Sequence, residues 1–172
     1  MFYHKEFCKK NIINDRVYKY DIYNKLIVKG NICSTSATIV NKKFVLKNKI
    51  LFREHKRYIS VEDYDFWLMI ALNGGTFKHI NKTLGYYRIH KKNLTKNIFS
   101  HNRNYLRLIY NHIFNYSDLT FNKKKFFRII LIINKLQLYI LTNNNLNYFF
   151  RLIYKVLIKI LKNLLYFRIH LK

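Results

Sequence analysis

The acidic residues of this chain sit almost entirely at one end. Seven of the eight lie at or before Asp65, and only Asp118 follows. The sequence therefore divides into a mixed-charge half up to about residue 95 and a basic, aromatic half beyond it. A length of 172 residues suits one domain or part of a larger one. A complete chain of this size buries roughly 70% of its unfolded surface, so a real core is expected. Half of the residues are apolar and 17% are aromatic, which excludes intrinsic disorder despite the charge. Four glycines and no proline exclude collagen-like, linker-rich and proline-rich classes. Cys8 and Cys33 form no CxxC pair, which excludes a disulfide scaffold and a zinc finger. Both read as reduced, partly buried thiols of a cytoplasmic protein.

Lys and Arg number 33 against 8 acids, a formal charge of +25. Two sources of that excess stay open. Nucleic acid or an anionic membrane is the usual partner of so basic a chain. Lys, Asn, Ile, Tyr and Phe are also the set that AT-rich codons supply, so drift in base composition is the other. Local charge patterns carry more weight than the total. Met1–Asn11 holds no apolar run suited to a signal peptide. No stretch reaches the ~20 uncharged apolar residues of a membrane span. The nearest, Phe126 to Leu141, is interrupted by Arg128 and Lys135. A cytoplasmic location is expected, with peripheral contact at the inner membrane face as the one anchoring route.

The first half reads as α/β. Residues 27–40 carry β-branched residues around Gly30 and then a Ser/Thr cluster, which suggests strand and loop. Residues 41–49 suit a short helix. Ser60-Val61-Glu62-Asp63 has the form of a capping box, with Glu62, Asp63 and Asp65 loading a first turn whose dipole favours negative charge. Asn73-Gly74-Gly75 ends that helix. Thr76–Ile80 and Leu84–His90 read as two short strands. The second half reads as helices. Leu106, Ile109, Tyr110, Ile113 and Phe114 share one face at helical spacing, Phe126–Leu141 forms a second helix and Leu146–Leu171 a third.

Glu62 and Asp63 side by side at a helix start serve as a cap worth ~1 kcal/mol or as a pair of working carboxylates. Asp63-Tyr64-Asp65 also matches a DxD, the carboxylate pair that holds a divalent cation on a nucleotide diphosphate. Residues two apart on a helix start point in different directions, which weakens that match. His90 alone reads as a surface or hydrogen-bonded histidine.

Taken together, Val61 to Thr95 (VEDYDFWLMIALNGGTFKHINKTLGYYRIHKKNLT) resembles the C-terminal half of the catalytic domain of family 2 glycosyltransferases. Glu62, Asp63, Asp65, Trp67 and Leu68, then Leu84 through His90 ("LGYYRIH"), match that family's form as they stand. Upstream, Gly30-Asn31-Ile32 with Ser34-Thr35-Ser36 looks like its "N-I-x-T-S-S" segment, and Phe52-Arg53-Glu54 like its "F-D-E". Arg53 departs from the usual Asp, and Lys82-Thr83 stands where a proline is common. The resemblance implies a partial GT-A (Rossmann-like) α/β domain over residues 1–98, followed by a basic α-helical region over 99–172. The family's nucleotide-binding half, with its metal-binding DxD, is missing, and Met1–Lys25 is too short to supply it. A truncated or split enzyme is expected, the N-terminal half being separately encoded and the fragment alone inactive.

The implied activity is inverting transfer of a sugar from a nucleotide sugar to a cell-envelope or polysaccharide acceptor. That step is a single displacement in which a carboxylate takes the acceptor hydroxyl's proton. The resemblance assigns this base to Asp63, with Glu62 second. Mg²⁺ or Mn²⁺ stabilises the leaving diphosphate, and His90 becomes a metal ligand. Arg88 contacts phosphate or braces the acidic pair. Trp67 lines the acceptor pocket or the core, and Ser34, Thr35 and Ser36 line the sugar site or form a polar edge.

In Phe149–Leu165, Arg151, Lys155, Lys159 and Lys162 fall within about 80° of one another, a basic stripe on an otherwise apolar helix. An in-plane membrane helix over 149–168, suited to a lipid-linked acceptor, and a core helix with one wet face both fit. The alternative to an enzyme is a basic protein that binds nucleic acid or a membrane surface without catalysis. Nucleic acid is not expected, since no binding module is recognisable.

Overall fold

The computed structural model describes residues 17–18, 22–80, 82, 98–116, 122–143 and 145–170. They form helices α1 (Ile22–Lys29), α2 (Lys42–Lys47), α3 (Glu62–Leu72), α4 (Ile98–Asn111), α5 (Lys123–Thr142) and α6 (Tyr148–His170). Two short strands, β1 (Val17–Tyr18) and β2 (Phe77–Lys78), and 3₁₀ turns at Thr35–Ala37 and Lys56–Tyr58 accompany them. The expected α/β, GT-A (Rossmann-like) architecture is corrected by this arrangement. The described residues are mostly helical, and β1 and β2 pair only as a two-residue antiparallel ribbon. So short a ribbon lacks the parallel strands and crossovers that a doubly wound sheet requires.

The strand and loop expected over 27–40 show the physical reason. Ile27 and Val28 are β-branched, yet they close α1 and are buried with Ile22 and Leu26. Helix α1 packs against α3 and α6. Burying such side chains contributes roughly 1.5–3 kcal/mol each, several times the helix-propensity loss of a β-branched residue. Gly30 then ends α1 at φ +96°, its N–H donating to the Leu26 carbonyl at 2.9 Å. Beyond it only a 3₁₀ turn forms, Thr35–Ala37. The strand expected over Thr76–Ile80 shrinks to β2, and the one expected over Leu84–His90 lies outside the described residues.

The helix expected over 41–49 forms as α2, capped by the Asn41 side chain, which accepts from Phe44 N–H at 3.3 Å. Helix α3 ends in a Schellman turn. Gly74 N–H donates to the Ala71 carbonyl at 3.1 Å and Gly75 N–H to the Ile70 carbonyl at 2.9 Å. Helix α4 runs on into a π-helical turn, His112–Tyr116. Its buried face is Asn104, Leu108, Ile109, His112 and Ile113, while Tyr110, expected inside, is exposed. Asn122 caps α5 by accepting from Lys125 N–H at 3.1 Å. Arg151 closes the turn between α5 and α6, donating to the carbonyls of Asn143 (2.7 Å) and Leu146 (3.1 Å). One core runs through these elements, from Ile22 and Leu26 on α1, through Trp67 and Leu68 on α3, to Ile158 and Leu165 on α6.

Candidate acidic site at the head of helix α3

Ser60 does not cap α3 as the capping-box form predicts. It adopts φ +67°, and its Oγ lies 3.1 Å from His101 Nδ1. The residue at the cap position is Val61, which has no side-chain hydrogen bond to offer. The turn is served from within: Asp63 Oδ1 accepts from Tyr64 N–H at 2.7 Å. Burial of Val61 in the core fixes this entry, so the hydroxyl one residue earlier is spent on α4 instead.

With Oδ1 engaged, Asp63 presents Oδ2. Thr35 Oγ1 donates to it at 3.1 Å across a separation of 28 residues. Ser34 Oγ and Ser36 Oγ lie 3.2 Å apart on the same 3₁₀ turn, and Thr38 Oγ1 donates to the Ser34 carbonyl at 2.7 Å. Thus two segments that the resemblance assigns to one site, 34–36 and the acidic pair, meet in space. Glu62 stands beside Asp63, and its Oε2 is buried with no hydrogen-bond partner among the described residues. Cys33, just before the turn in sequence, is half-buried. Burial, and then the Asp63 charge, push its thiol up to about 11.

Asp65 points the other way. It is 1% exposed, with Oδ2 3.0 Å from Arg53 Nε and Oδ1 2.9 Å from His112 Nε2. Tyr23 OH lies 3.2 Å from both His112 Nδ1 and the His112 carbonyl. The Arg53 guanidinium donates to Tyr58 OH at 2.5 Å and Tyr116 OH at 3.1 Å. Burial opposes its charge, but the Tyr116 and Asp65 contacts hold it above its usual range. The DxD reading is therefore corrected: Asp63 faces the 34–36 turn and Asp65 faces the interior, so the two cannot grip one cation. Among the described residues no three His, Cys, Asp or Glu side chains gather as metal ligands.

Trp67 is 2% exposed and packs edge-on against Phe66 with ring centroids 5.1 Å apart, so it sits in the core rather than on an open pocket wall. Arg88 and His90 lie outside the described residues. The reading of the sequence does not single out Tyr23 or His112, and it notes Arg53 only as a departure. The available signal is periodic: His112 falls four residues after Leu108 on the buried stripe of α4, where a polar side chain requires a partner. A groove of about 510 Å³ opens near His55, Arg57, Tyr58, Arg107, Tyr110 and Phe127, and Asp63 is not part of it. No family model, no curated protein and no solved structure matches the chain. No described helix is long and apolar enough to cross a membrane.

Proposed function

We propose that the head of α3 is the acceptor-activating face of a glycosyltransferase that uses a nucleotide-sugar donor. The observation that supports this reading is the hydrogen bond from Thr35 Oγ1 to Asp63 Oδ2 at 3.1 Å. That distance falls within the about 2.6–3.2 Å reach a general base needs. In the reaction, the acceptor hydroxyl takes the position beside or in place of Thr35. Its proton passes to Oδ2 as its oxygen attacks the anomeric carbon, and the bond to the diphosphate breaks with inversion. Oδ1 stays tied to Tyr64 N–H, so the base keeps one orientation. Ser34 and Ser36 hold neighbouring acceptor hydroxyls, and Glu62 is the second carboxylate within the face. Arg88 and His90 are assigned to the diphosphate side by the resemblance, with Mg²⁺ or Mn²⁺ as the expected ion. Donor binding is assigned to an N-terminal half, since the two-residue ribbon of the described residues offers no sheet on which a nucleotide could lie.

The test is transfer from a panel of nucleotide sugars with Mn²⁺, run on the protein expressed from its whole locus. Asp63→Asn is expected to lower turnover by about 10²–10⁴ while donor binding stays near normal. The fold survives the change, since the amide oxygen can still accept from Tyr64 N–H. If Glu62→Gln abolishes turnover and Asp63→Asn does not, the base is Glu62. If both variants keep turnover, the pair serves only the helix start.

A further inference from the structure

Lys155 and Lys159 of the basic stripe on α6 are exposed, and Lys162 is half-buried. Lys155, Lys159 and Lys162 turn toward α1 and α5, where with Lys29 they line a groove of about 350 Å³ floored by Ile140 and Ile158. The four ammonium groups have no carboxylate in that lining. Lys162 Nζ donates to the Lys29 carbonyl at 3.4 Å, and Lys29 Nζ donates to Asn163 Oδ1. Burial lowers the pKa of both Lys29 and Lys162, and neighbouring lysine charges lower each further: Lys25 and Lys159 act on Lys29, and Lys29 acts on Lys162. Such a group of cations is stabilised by an anion with several acceptor oxygens.

The opposite face of α6 is apolar and open. Phe149, Ile153, Val156, Ile160, Leu164 and Phe167 are 44–64% exposed. At 100° per residue these six fall within about 80° of one another, with Lys159 about 60° and Lys155 about 100° from the nearest of them. A 23-residue helix is about 35 Å long, so the strip is extensive. Soluble proteins rarely leave so continuous an apolar surface uncovered.

We propose that α6 lies in the plane of an anionic lipid bilayer, its apolar face in the acyl boundary and the four-lysine groove holding headgroup phosphate. The two features belong together because an in-plane helix buries one apolar face while the cations of its polar face meet the headgroups. A second copy of the chain fits less well: pairing through the apolar strip would cover that face but leave the four groove lysines without an anion. Nucleic acid satisfies the lysines but leaves the apolar strip in water. The proposal does not depend on sugar transfer, and its test involves none.

Flotation of the 172-residue protein with vesicles decides it. Binding to vesicles rich in phosphatidylglycerol is expected, at least about tenfold tighter than to phosphatidylcholine alone and weakening as salt rises. Lys29→Gln/Lys155→Gln/Lys159→Gln/Lys162→Gln together should lower binding by about a hundredfold or more. Lys155 is exposed, so Lys155→Gln alone leaves the fold intact and should cost about fivefold. Ile160→Ser/Leu164→Ser, both outward-facing, should weaken binding to either vesicle with an unchanged circular dichroism spectrum. Equal affinity for the two lipids, or indifference to Lys155→Gln and Ile160→Ser/Leu164→Ser, would overturn the proposal. So would a stable dimer in lipid-free solution that Ile160→Ser/Leu164→Ser splits into monomers.

Discussion

Asp63 and Asp65 show how much two residues of helix rotation decide. Asp63 meets a threonine hydroxyl at the surface, while Asp65 is locked between Arg53 and His112 inside. The acidic pair and the Ser/Thr cluster both stand in the sequence as candidates for one site, and the hydrogen bond from Thr35 shows that the two segments touch. The surroundings of Asp65 were not legible there. His112 and Tyr23 are far from Asp65 in the chain, and a lone histidine looks the same in sequence whether or not a carboxylate awaits it. Arg53 gains a reason once Asp65 is seen to need a cation. Cys33 supplies a check on the Asp63 environment. Its folded pKa, about 11, is raised above the ordinary thiol value of 9.0 by burial and then by the Asp63 charge. The neutral thiol is thus the form the fold favours. That contribution to stability is complete below pH 9 and is lost as pH rises through about 11. In a Cys8→Ser background, alkylation of Cys33 by iodoacetamide at pH 9 should run roughly fifty times slower than for an open thiol, since the thiolate fraction falls from about half to about 1%. Asp63→Asn removes the second cause and should speed the reaction; an unchanged rate would show that the carboxylate does not face Cys33.

Helix α3 illustrates what local signals decide and what they leave open. Its body, its acidic first turn and its Asn73-Gly74 stop follow from the sequence. Its start does not, because Ser60 is drawn to His101 by the packing of α4. The two glycines at its end make separable predictions. Gly74 has φ +78° and open space around a would-be Cβ, so Gly74→Ala should cost only the left-handed conformation, about 1 kcal/mol. At Gly75 a Cβ would sit 2.8 Å from the Ile70 carbonyl oxygen, a backbone atom that cannot move aside cheaply. Gly75→Ala should therefore lower the urea midpoint more than Gly74→Ala; the reverse order would contradict the described turn. Helix α6 carries the same lesson. Its stripe of cations was readable from spacing alone, but the side of the stripe that met α1 and α5 was not.

At the scale of the whole molecule, the expected sheet is absent from the described residues and helices take its place, joined by one core. That has a functional consequence on the proposed reading. The 172-residue chain incubated alone with nucleotide sugars and Mn²⁺ should show no turnover above a heat-killed control, because the described residues provide no nucleotide-binding sheet; clear turnover would refute this. By itself the sequence determined the split between a mixed-charge and a basic half, the helical periodicities of α4 to α6, the stop of α3 and the candidate acidic pair. These are local properties, set by neighbours within a turn or two of helix. Only the tertiary structure decided that Ile27 and Val28 join a helix, that Asp63 and Asp65 part company, and that the lysines of α6 gather around Lys29. Each of those outcomes depends on which distant side chain comes to lie opposite. Burial and charge pairing act through space, and spacing along the chain does not encode the partner.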